Sequence, residues 1–324
     1  MRLLVTGGLG FIGSNFVLNV LKNNSDIIVT NVDAELTGSD LRNLDGLKDS
    51  SNYKYVKGNI TNKILMEELI GNSDAVINFA AETFVDRSIL DANQFLVSNI
   101  RGTYTILEIL RKQKKRFIQI STDEVFGSLE NGTADEQSKL NPSSPYAATK
   151  AAAELLANSY SVTYGSDVII TRCTNNYGPR QFAEKLIPKT ILLASKDMKI
   201  PIYGKGTNIR DWIYVDDHCK GLIKVFKQGR IGEFYNIGSN KNINNLEVTK
   251  SLFKIAKLTI QVKSNVKIKF IKDRPGHDLR YALNSKKIKN KLNWSPLIKF
   301  ESGLKKTFLW YLNNKQYYLS LSRK

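Results

Sequence analysis

Leu3-Leu-Val-Thr-Gly-Gly-Leu-Gly-Phe-Ile-Gly13 is the stretch of this 324-residue chain that decides its fold. A short apolar run ends in glycines, and a segment with helical periodicity follows directly. Glycines at positions 7, 10 and 13 suit a tight turn, a close backbone approach to a pyrophosphate, and close packing of helix on strand. The N-terminus of the helix offers unpaired N–H groups to phosphates. The stretch therefore predicts a strand, a phosphate-binding loop and a helix in succession.

Apolar runs alternate with amphipathic segments through the first half of the chain. The runs predict buried strands at residues 3–5, 27–32, 53–56, 75–79, 117–120 and 168–171, and the segments predict helices at 11–21, 64–70, 102–110 and 146–160. This order indicates an α/β fold with a doubly wound, Rossmann-type parallel sheet. The rhythm changes after about residue 174. We therefore predict a cofactor-binding domain at 1–174 and a smaller C-terminal substrate-binding domain at 175–324, with segments such as 233–237 returning to the first.

An acidic residue, Asp33, ends the second predicted strand about twenty residues after the glycines. A carboxylate there accepts hydrogen bonds from a ribose diol and repels a 2′-phosphate, so the pattern favours NAD over NADP. A glycine-rich turn without a ligand is the alternative. The predicted cofactor contacts from the loop and the strand ends are Gly7, Gly10, Phe11, Ile12, Gly13, Asp33, Asn59, Ile60, Phe79, Ala80 and Ala81.

Polar groups follow the fifth predicted strand, in the order Thr122, Asp123 and Glu124. Tyr146 and Lys150 come later, one helical turn apart. The pKa of tyrosine is about 10, and a lysine on the same helix face favours its phenolate, so the pair suits oxidation of an alcohol that Thr122 hydrogen-bonds. Two adjacent carboxyls suit removal of water, because repulsion between them raises one pKa and separates an acid from a base. The alternative is that the two carboxyls cap a loop.

Composition excludes several classes of protein. The hydrophobic content of 42% indicates a folded protein rather than a disordered one. No apolar run is long enough to span a bilayer, the chain starts without a signal-like segment, and its two cysteines lack metal-ligand spacing. We therefore expect a cytoplasmic protein with no metal site. The net charge is +18, and residues 251–324 carry +15 of it. Nucleic-acid binding is one interpretation, but apolar residues interrupt the charges, which favours an ordinary basic surface.

Longer motifs resemble the extended short-chain dehydrogenase/reductase family, and within it the nucleotide-sugar 4,6-dehydratases that act on dTDP-glucose. The resemblance runs nearly end to end. It is carried by the glycine loop, Ala80-Ala-Glu-Thr-Phe-Val-Asp-Arg-Ser-Ile89, Ser121-Thr-Asp-Glu-Val-Phe-Gly127, Tyr146-Ala-Ala-Thr-Lys150, Asn175-Asn-Tyr-Gly-Pro179, Glu184-Lys-Leu-Ile-Pro188, Arg210-Asp-Trp-Ile-Tyr-Val-Asp-Asp-His218, Tyr235-Asn-Ile-Gly238 and Asp273-Arg-Pro-Gly-His277.

The resemblance implies a lyase that recycles NAD. Tyr146 would take the 4-hydroxyl proton while hydride leaves carbon 4, Glu124 would remove the carbon 5 proton, and Asp123 would protonate the departing 6-hydroxyl. It adds Thr83, Ser98, Tyr146, Lys150 and Asn176 as cofactor contacts. It implies a homodimer, and the sugar nucleotide would contact Thr83, Thr122, Asn175, Lys185, Leu186, Pro201, Tyr203, Arg210, Asn245, Arg274 and His277.

Some positions depart from the family pattern. Phe84 stands where the family usually has histidine, Asn59 where it has aspartate, and Asn78-Phe79 where it has His-Leu. Glu35 lies in a segment where the family tends to place a lysine. Two alternatives stay open at this point. One is an epimerase or decarboxylase of the same fold, and the other is a non-catalytic NAD-binding protein whose basic region binds nucleic acid or a partner.

Overall fold

The computed structural model describes residues 1–260 and 268–315. The strands of these residues are β1 (Arg2–Thr6), β2 (Ile28–Asp33), β3 (Tyr53–Lys57), β4 (Ala75–Asn78), β5 (Arg116–Thr122), β6 (Val168–Cys173), β7 (Asn175–Tyr177), β8 (Ile200–Tyr203), β9 (Ile209–Tyr214), β10 (Phe234–Ile237), β11 (Asn242–Asn244) and β12 (Ile268–Ile271).

The helices of the described residues are α1 (Phe11–Asn23), α2 (Lys63–Gly71), α3 (Val85–Leu90), α4 (Asn93–Phe95), α5 (Gly102–Gln113), α6 (Pro145–Tyr164), α7 (Leu186–Ser195), α8 (Val215–Gln228), α9 (Asn245–Ile260), α10 (Lys286–Leu292) and α11 (Phe300–Asn313). A π-helical segment, Leu96–Arg101, joins α4 to α5, and 3₁₀ segments occupy Leu41–Leu47, which is kinked at Leu44, and Asp123–Phe126. No helix in residues 1–260 or 268–315 is both long and apolar enough to cross a bilayer.

Seven parallel strands form the central sheet in the order β3-β2-β1-β4-β5-β6-β10. The order reverses between β1 and β4, which is the point where a doubly wound sheet opens a crevice at the carboxyl ends of its strands. This topology confirms the predicted Rossmann-type fold. The edge strand β10 pairs with β6 from Phe234 to Ile237, so the chain returns to the central sheet after leaving it at the end of β6.

Helices bury the apolar runs on both faces of the sheet. Phe16 of α1 and Leu222 of α8 pack against one face, and Met66 of α2 and Ile106 of α5 pack against the other. All four side chains are fully buried. Strands covered on both faces lose most contact with water, which explains why they read as continuous apolar runs rather than as alternating patterns.

The later part of the chain builds smaller sheets beside the crevice. Strands β11, β9 and β7 form one sheet, and β12 and β8 form another. Helices α7, α9 and α11 pack with the first of these around buried Tyr177, whose hydroxyl donates to the carbonyl of Phe300 over 3.1 Å. His218 is fully buried in α8. These elements bring residues 174–185 and the segment 272–281 to the open edge of the central sheet.

The basic C-terminal region forms ordinary packed elements where it is described. Leu252, Leu283, Ile288 and Leu292 are buried, and nearby lysines are exposed, namely Lys254, Lys257, Lys286, Lys289 and Lys291. Residues 261–267 and 316–324 of this region lie outside the described residues. The pattern is that of amphipathic elements whose apolar side chains enter the core.

Candidate active site

The glycine loop holds its shape through its own backbone. The N–H of Gly7 donates to the carbonyl of Val32 over 2.9 Å, and φ of Gly7 is +68°, a region that favours glycine. A Cβ at Gly7 would lie 2.6 Å from the backbone nitrogen of Ala80, so no larger residue fits there. Helix α1 begins after Gly10 without a side-chain cap, which leaves its N–H groups facing the crevice.

Asp33 is fixed at the carboxyl end of β2 by three donors. Its Oδ2 accepts from the N–H of Leu9 over 3.0 Å, and its Oδ1 accepts from the N–H of Glu35 and the hydroxyl of Ser39 over 2.8 and 2.9 Å. Burial raises the pKa of Asp33, and these hydrogen bonds oppose that rise. Because each carboxylate oxygen accepts two hydrogen bonds, Oδ2 keeps capacity for a ribose hydroxyl.

A cavity of about 280 Å³ runs from this loop to the catalytic turn. Every predicted cofactor contact lines it, from Gly7 through Asp33 to Asn176. Oδ1 of Asn175 and Oδ1 of Asn176 are buried in its wall and have no hydrogen-bond partner among the described residues. A long cavity with a phosphate loop, a ribose-binding carboxylate and unpaired wall oxygens fits a dinucleotide.

The catalytic turn, Asp123–Phe126, follows β5 directly. Oγ1 of Thr122 accepts from the N–H of Glu124 over 3.3 Å and so caps the turn. The turn ends at Gly127, whose φ is +68° and whose hydrogen atom faces the carbonyl of Asn141. The local sequence therefore turns both carboxyls away from the strand and towards the crevice.

The two carboxyls differ in their electrostatic surroundings. Burial raises the pKa of Asp123 well above its usual range, and the neighbouring Glu124 raises it further. Burial also raises the pKa of Glu124, but the positive charges of Arg274, Arg210 and Lys185 oppose that rise. The surroundings thus favour the neutral acid more strongly at Asp123 than at Glu124. The pKa values of the pair are separated in the order that an acid at Asp123 and a base at Glu124 require.

Tyr146 and Lys150 lie on the first turns of α6, beside the catalytic turn. Ser144 caps this helix by accepting from the N–H of Ala147 over 3.2 Å, and Pro145 occupies its first position. Nζ of Lys150 donates to the carbonyl of Ile120 over 2.6 Å, and burial lowers the pKa of Lys150 to about 8. Burial raises the pKa of Tyr146 well above 10, so its phenol is neutral without added positive charge.

The substrate-side cluster consists of Tyr203, Arg210, Arg274, His277 and their acidic partners. Nη1 of Arg274 lies 3.4 Å from Oδ1 of Asp86, which also accepts from the hydroxyl of Tyr203 over 3.0 Å through Oδ2. Arg210 donates to the carbonyl of Asp278 over 2.9 Å and stacks 4.1 Å from the ring centre of Tyr281. The cluster adjoins the cavity, because the positive charges of both arginines act to lower the pKa of Glu124, which lines the cavity.

A family model described as GDP-mannose 4,6 dehydratase matches residues 4–307 of this chain. A dTDP-glucose 4,6-dehydratase of Streptomyces niveus is 42% identical to it, over 98% of this chain and 95% of that protein. The chain belongs to the dTDP-glucose 4,6-dehydratase family. The match covers both the cofactor loop and the substrate-side cluster.

Two further comparisons support membership of the dehydratase family. A low-salt glycan biosynthesis protein, Agl12 of Haloferax volcanii, is 45% identical over 98% of this chain and all of its own length. The crystal structure of DesIV, a dTDP-glucose 4,6-dehydratase of Streptomyces venezuelae with NAD and TYD bound, has a TM-score of 0.94 and 40% identity. It covers 99% of this chain and 100% of its own.

The predicted residues of this dehydratase-family site fall into two groups. The catalytic and cofactor residues line one cavity, together with Thr83, Asn175 and Lys185. The other predicted substrate residues lie outside that lining, namely Leu186, Pro201, Tyr203, Arg210, Asn245, Arg274 and His277. Leu186 packs partly into the core, and the N–H of Asn245 donates to the carbonyl of Asn208 over 3.1 Å.

Sequence reasoning missed several partners. Asp86 and Asp278 hold the two arginines, yet neither was assigned a role. Lys57 and Tyr55 bind the carboxylate of Glu35 over 2.9 and 2.7 Å, close to Asp33, which is predicted to bind a ribose. Asp86 falls within a quoted motif and could have been found there. The pairing of β3 with β2 could have indicated that Lys57 lies beside Asp33, because the two residues are in register.

Proposed function

We propose that the protein is a nucleotide-sugar 4,6-dehydratase that converts dTDP-glucose to dTDP-4-keto-6-deoxyglucose and water. Membership of the family supports this assignment. The observation that carries it is the pair of buried carboxyls, Asp123 and Glu124, in one cavity with Tyr146 and Lys150. An epimerase needs only the tyrosine and the lysine to oxidise and reduce carbon 4. Elimination of water requires an acid and a base in addition.

NAD is the cofactor. The glycine loop and the start of α1 would hold its pyrophosphate, and Asp33 would hold a ribose. When bound, NAD supplies the hydride acceptor for carbon 4 and the donor for carbon 6, so that the cofactor is regenerated. The carboxylate of Asp33, with Glu35 beside it, disfavours a 2′-phosphate and therefore NADP.

Tyr146 and Lys150 carry the oxidation step. The phenol lies against Thr122, whose hydroxyl hydrogen-bonds it and lowers its pKa. Burial keeps the phenol neutral in the free protein, so Tyr146 becomes a base only when positive charge is added nearby. Lys150 supplies part of that charge from the next turn of α6. The added charge lets the phenol release its proton to solvent, and the resulting Tyr146 phenolate accepts the proton of the 4-hydroxyl, which Thr122 orients.

Glu124 and Asp123 carry the elimination step. Three cations oppose the rise that burial causes in the pKa of Glu124, and Glu124 as carboxylate removes the proton on carbon 5 that the new ketone acidifies. Asp123 stays protonated because it is buried beside a carboxylate, and it donates its proton to the 6-hydroxyl, which leaves as water. Oδ2 of Asp123 is buried without a hydrogen-bond partner among the described residues, which leaves this atom available to the substrate.

The substrate-side cluster would bind the nucleoside diphosphate. Arg210 and Arg274 present guanidinium groups that match phosphate oxygens, and Lys185, Asn175 and His277 would assist. Pro201 and Tyr203 would bracket the base. These assignments follow from the residue types and from the position of the cluster beside Glu124.

An assay of 4-keto product across dTDP-, UDP-, GDP- and CDP-glucose tests the proposal. We expect turnover with dTDP-glucose to exceed the others and to need no added oxidant beyond catalytic NAD. Release of an epimerised or decarboxylated nucleotide sugar, with no 4-keto-6-deoxy product, would establish the rival enzyme of the same fold. Salt-sensitive nucleic-acid binding without turnover would support the non-catalytic alternative.

Three further proposals concern the domain division, the oligomeric state and the cellular location of the protein. A division into residues 1–174 and 175–324, with 234–237 returning to the first part, is supported by the sheet order. A homodimer through α6 is supported by its exposed Leu155, Val162 and Tyr164. A cytoplasmic location is supported by the free thiols of Cys173 and Cys219, which are both buried. Limited proteolysis, light scattering and cell fractionation test them in turn.

A further inference from the structure

Phe84 occupies a position where its ring meets both the cavity and a cation. Its side chain is 7% exposed and lines the cavity just before α3. The Lys185 ammonium nitrogen lies 4.5 Å from its ring centre, and the ring of Phe182 meets it edge to face with centres 5.4 Å apart. A cation over an aromatic face is attracted by the negative charge of that face, most strongly where water is excluded.

Two contacts hold the Lys185 ammonium. Nζ donates to the carbonyl of Thr83 over 3.0 Å, and the ring of Phe84 lies beneath it. Both contacts come from adjacent residues, Thr83 and Phe84, so this segment sets the position of the Lys185 charge. Glu124 lies close enough that the Lys185 charge acts to lower its pKa. The same ring also has a second cation near it, since the Arg87 guanidinium carbon lies 4.9 Å from the ring centre.

We propose that Phe84 is a positioning residue that holds the Lys185 ammonium on the Glu124 side of the cavity, where Lys185 supports the elimination step. This inference rests on the proposed function, because it names a residue that serves the base of that reaction. It assigns a role to Phe84, which stands where the family usually has histidine. Histidine at this position would offer a weaker aromatic face and, when protonated, would repel the ammonium.

Glu124 has other charged and titratable neighbours, so the contribution of Lys185 is one part of a sum. The groups that face it are Asp123 of its own turn, Tyr146 of α6, Cys173 of β6, Arg210 of β9, and Arg274, Asp278 and Tyr281 of the segment after β12. Arg210 and Arg274 stay in place when Lys185 moves. Displacing Lys185 should therefore raise the pKa of Glu124 partially, and the acid limb of the pH profile should report it.

The experiment measures the pH dependence of kcat at saturating dTDP-glucose for Phe84→Leu, Lys185→Met and the double variant. NADH absorbance in a single turnover reports whether elimination has slowed. Phe182→Leu is the matched control, because it removes the neighbouring ring but not the ring beneath Lys185. Phe84→Tyr keeps the ring, and circular dichroism checks folding of each variant.

We expect the acid limb of Phe84→Leu to move to higher pH by roughly half to one unit, since one nearby charge shifts a carboxyl pKa by about that much or more. Lys185→Met should move the limb in the same direction, and the double variant should move it no further. Phe84→Tyr and Phe182→Leu should keep the wild-type limb. NADH should accumulate in the variants whose limb moves.

Either of two results overturns the inference alone: an unmoved limb in Phe84→Leu, or a Phe84→Leu shift that persists when Lys185 is methionine. If Phe84→Leu does not fold, an unmoved limb in Lys185→Met overturns it, because that variant leaves the Phe84 ring in place. A uniform loss of kcat at every pH would show that Phe84 acts only through packing. Wild-type protein that forms no 4-keto product overturns the proposed function, and this inference with it.

Discussion

The cofactor side and the substrate side of the cavity differ in the kinds of contact that hold them in place. On the cofactor side, Gly7 packs against the backbone of Ala80, and three protein donors hold the carboxylate of Asp33. The substrate side consists of long charged side chains that hold one another, such as Arg274 with Asp86. The first is complete before a ligand arrives. The second must exchange protein contacts for ligand contacts, so we expect it to respond gradually to substitution.

Glu124→Gln, at the meeting point of the two sides, should have the largest effect. The amide cannot accept the carbon 5 proton, so kcat should fall by roughly 10² to 10⁴. Oxidation at carbon 4 uses Tyr146 and stays possible, so NADH absorbance at 340 nm should build up in a single turnover. Glu130→Gln, an exposed acid, is the control and should behave as wild type. Normal product formation by Glu124→Gln would remove Glu124 from the role of base.

Gly7→Ala tests the rigidity of the cofactor side. Its Cβ would lie 2.6 Å from the Ala80 nitrogen, and φ of +68° disfavours alanine. A cost of about 2 kcal/mol would weaken NAD binding roughly thirtyfold. Titration calorimetry with NAD measures it. Gly46→Ala is the matched control, because its Cβ would meet nothing within 4 Å. Equal NAD affinity in both variants would show that the loop adjusts and is not preformed.

The pH profile tests the charge that supports Tyr146. Lys150 has a pKa of about 8, so it is positively charged below that pH and loses its charge above it. Activity should therefore fall above about pH 8, close to tenfold per pH unit. Lys150→Arg keeps the charge at every accessible pH and should abolish this limb, although with lower activity. A limb that persists in Lys150→Arg would assign the titration to another group.

Asp86→Asn should have the smallest effect, and it sharpens the contrast on the substrate side. Removing the carboxylate frees Arg274 from a partly exposed pair, so the KM for dTDP-glucose should fall roughly threefold, about 0.7 kcal/mol. The affinity for NAD should not change. Asp45→Asn removes an exposed partner of Lys48 and serves as control. A higher KM in Asp86→Asn would mean that the pair orients Arg274 for the substrate instead of competing with it.

The residues predicted for the cofactor side all line one cavity, and there is a physical reason why the sequence could indicate this. The loop, the ribose carboxylate and the strand-end residues all lie where parallel strands terminate, and apolar runs mark those ends. Each predicted strand of the central sheet coincides with an observed one to within two residues at either end. The glycine spacing then predicts a phosphate-binding loop without any knowledge of distant contacts.

The substrate side was less predictable because its geometry depends on long-range pairs. Nothing in the local sequence indicates that Asp86 meets Arg274, or that Lys185 lies on the ring of Phe84. Motif resemblance identified the arginines and the lysine, but not the groups that hold them. The difference in electrostatic surroundings between Asp123 and Glu124 could not be predicted from the sequence either, since it depends on three cations from separate segments. Periodicity cannot supply such contacts.

The pairing of β10 with β6 sets the order in which the protein can fold during synthesis. Phe234–Ile237 leaves the ribosome only after β7, β8, β9 and α8 have been made. Until then β6 presents an unpaired edge, and such edges associate readily with other chains. The nascent chain must shield that edge while the substrate side is still being assembled. The seven-stranded sheet therefore cannot be completed before residues 234–237 have been synthesised.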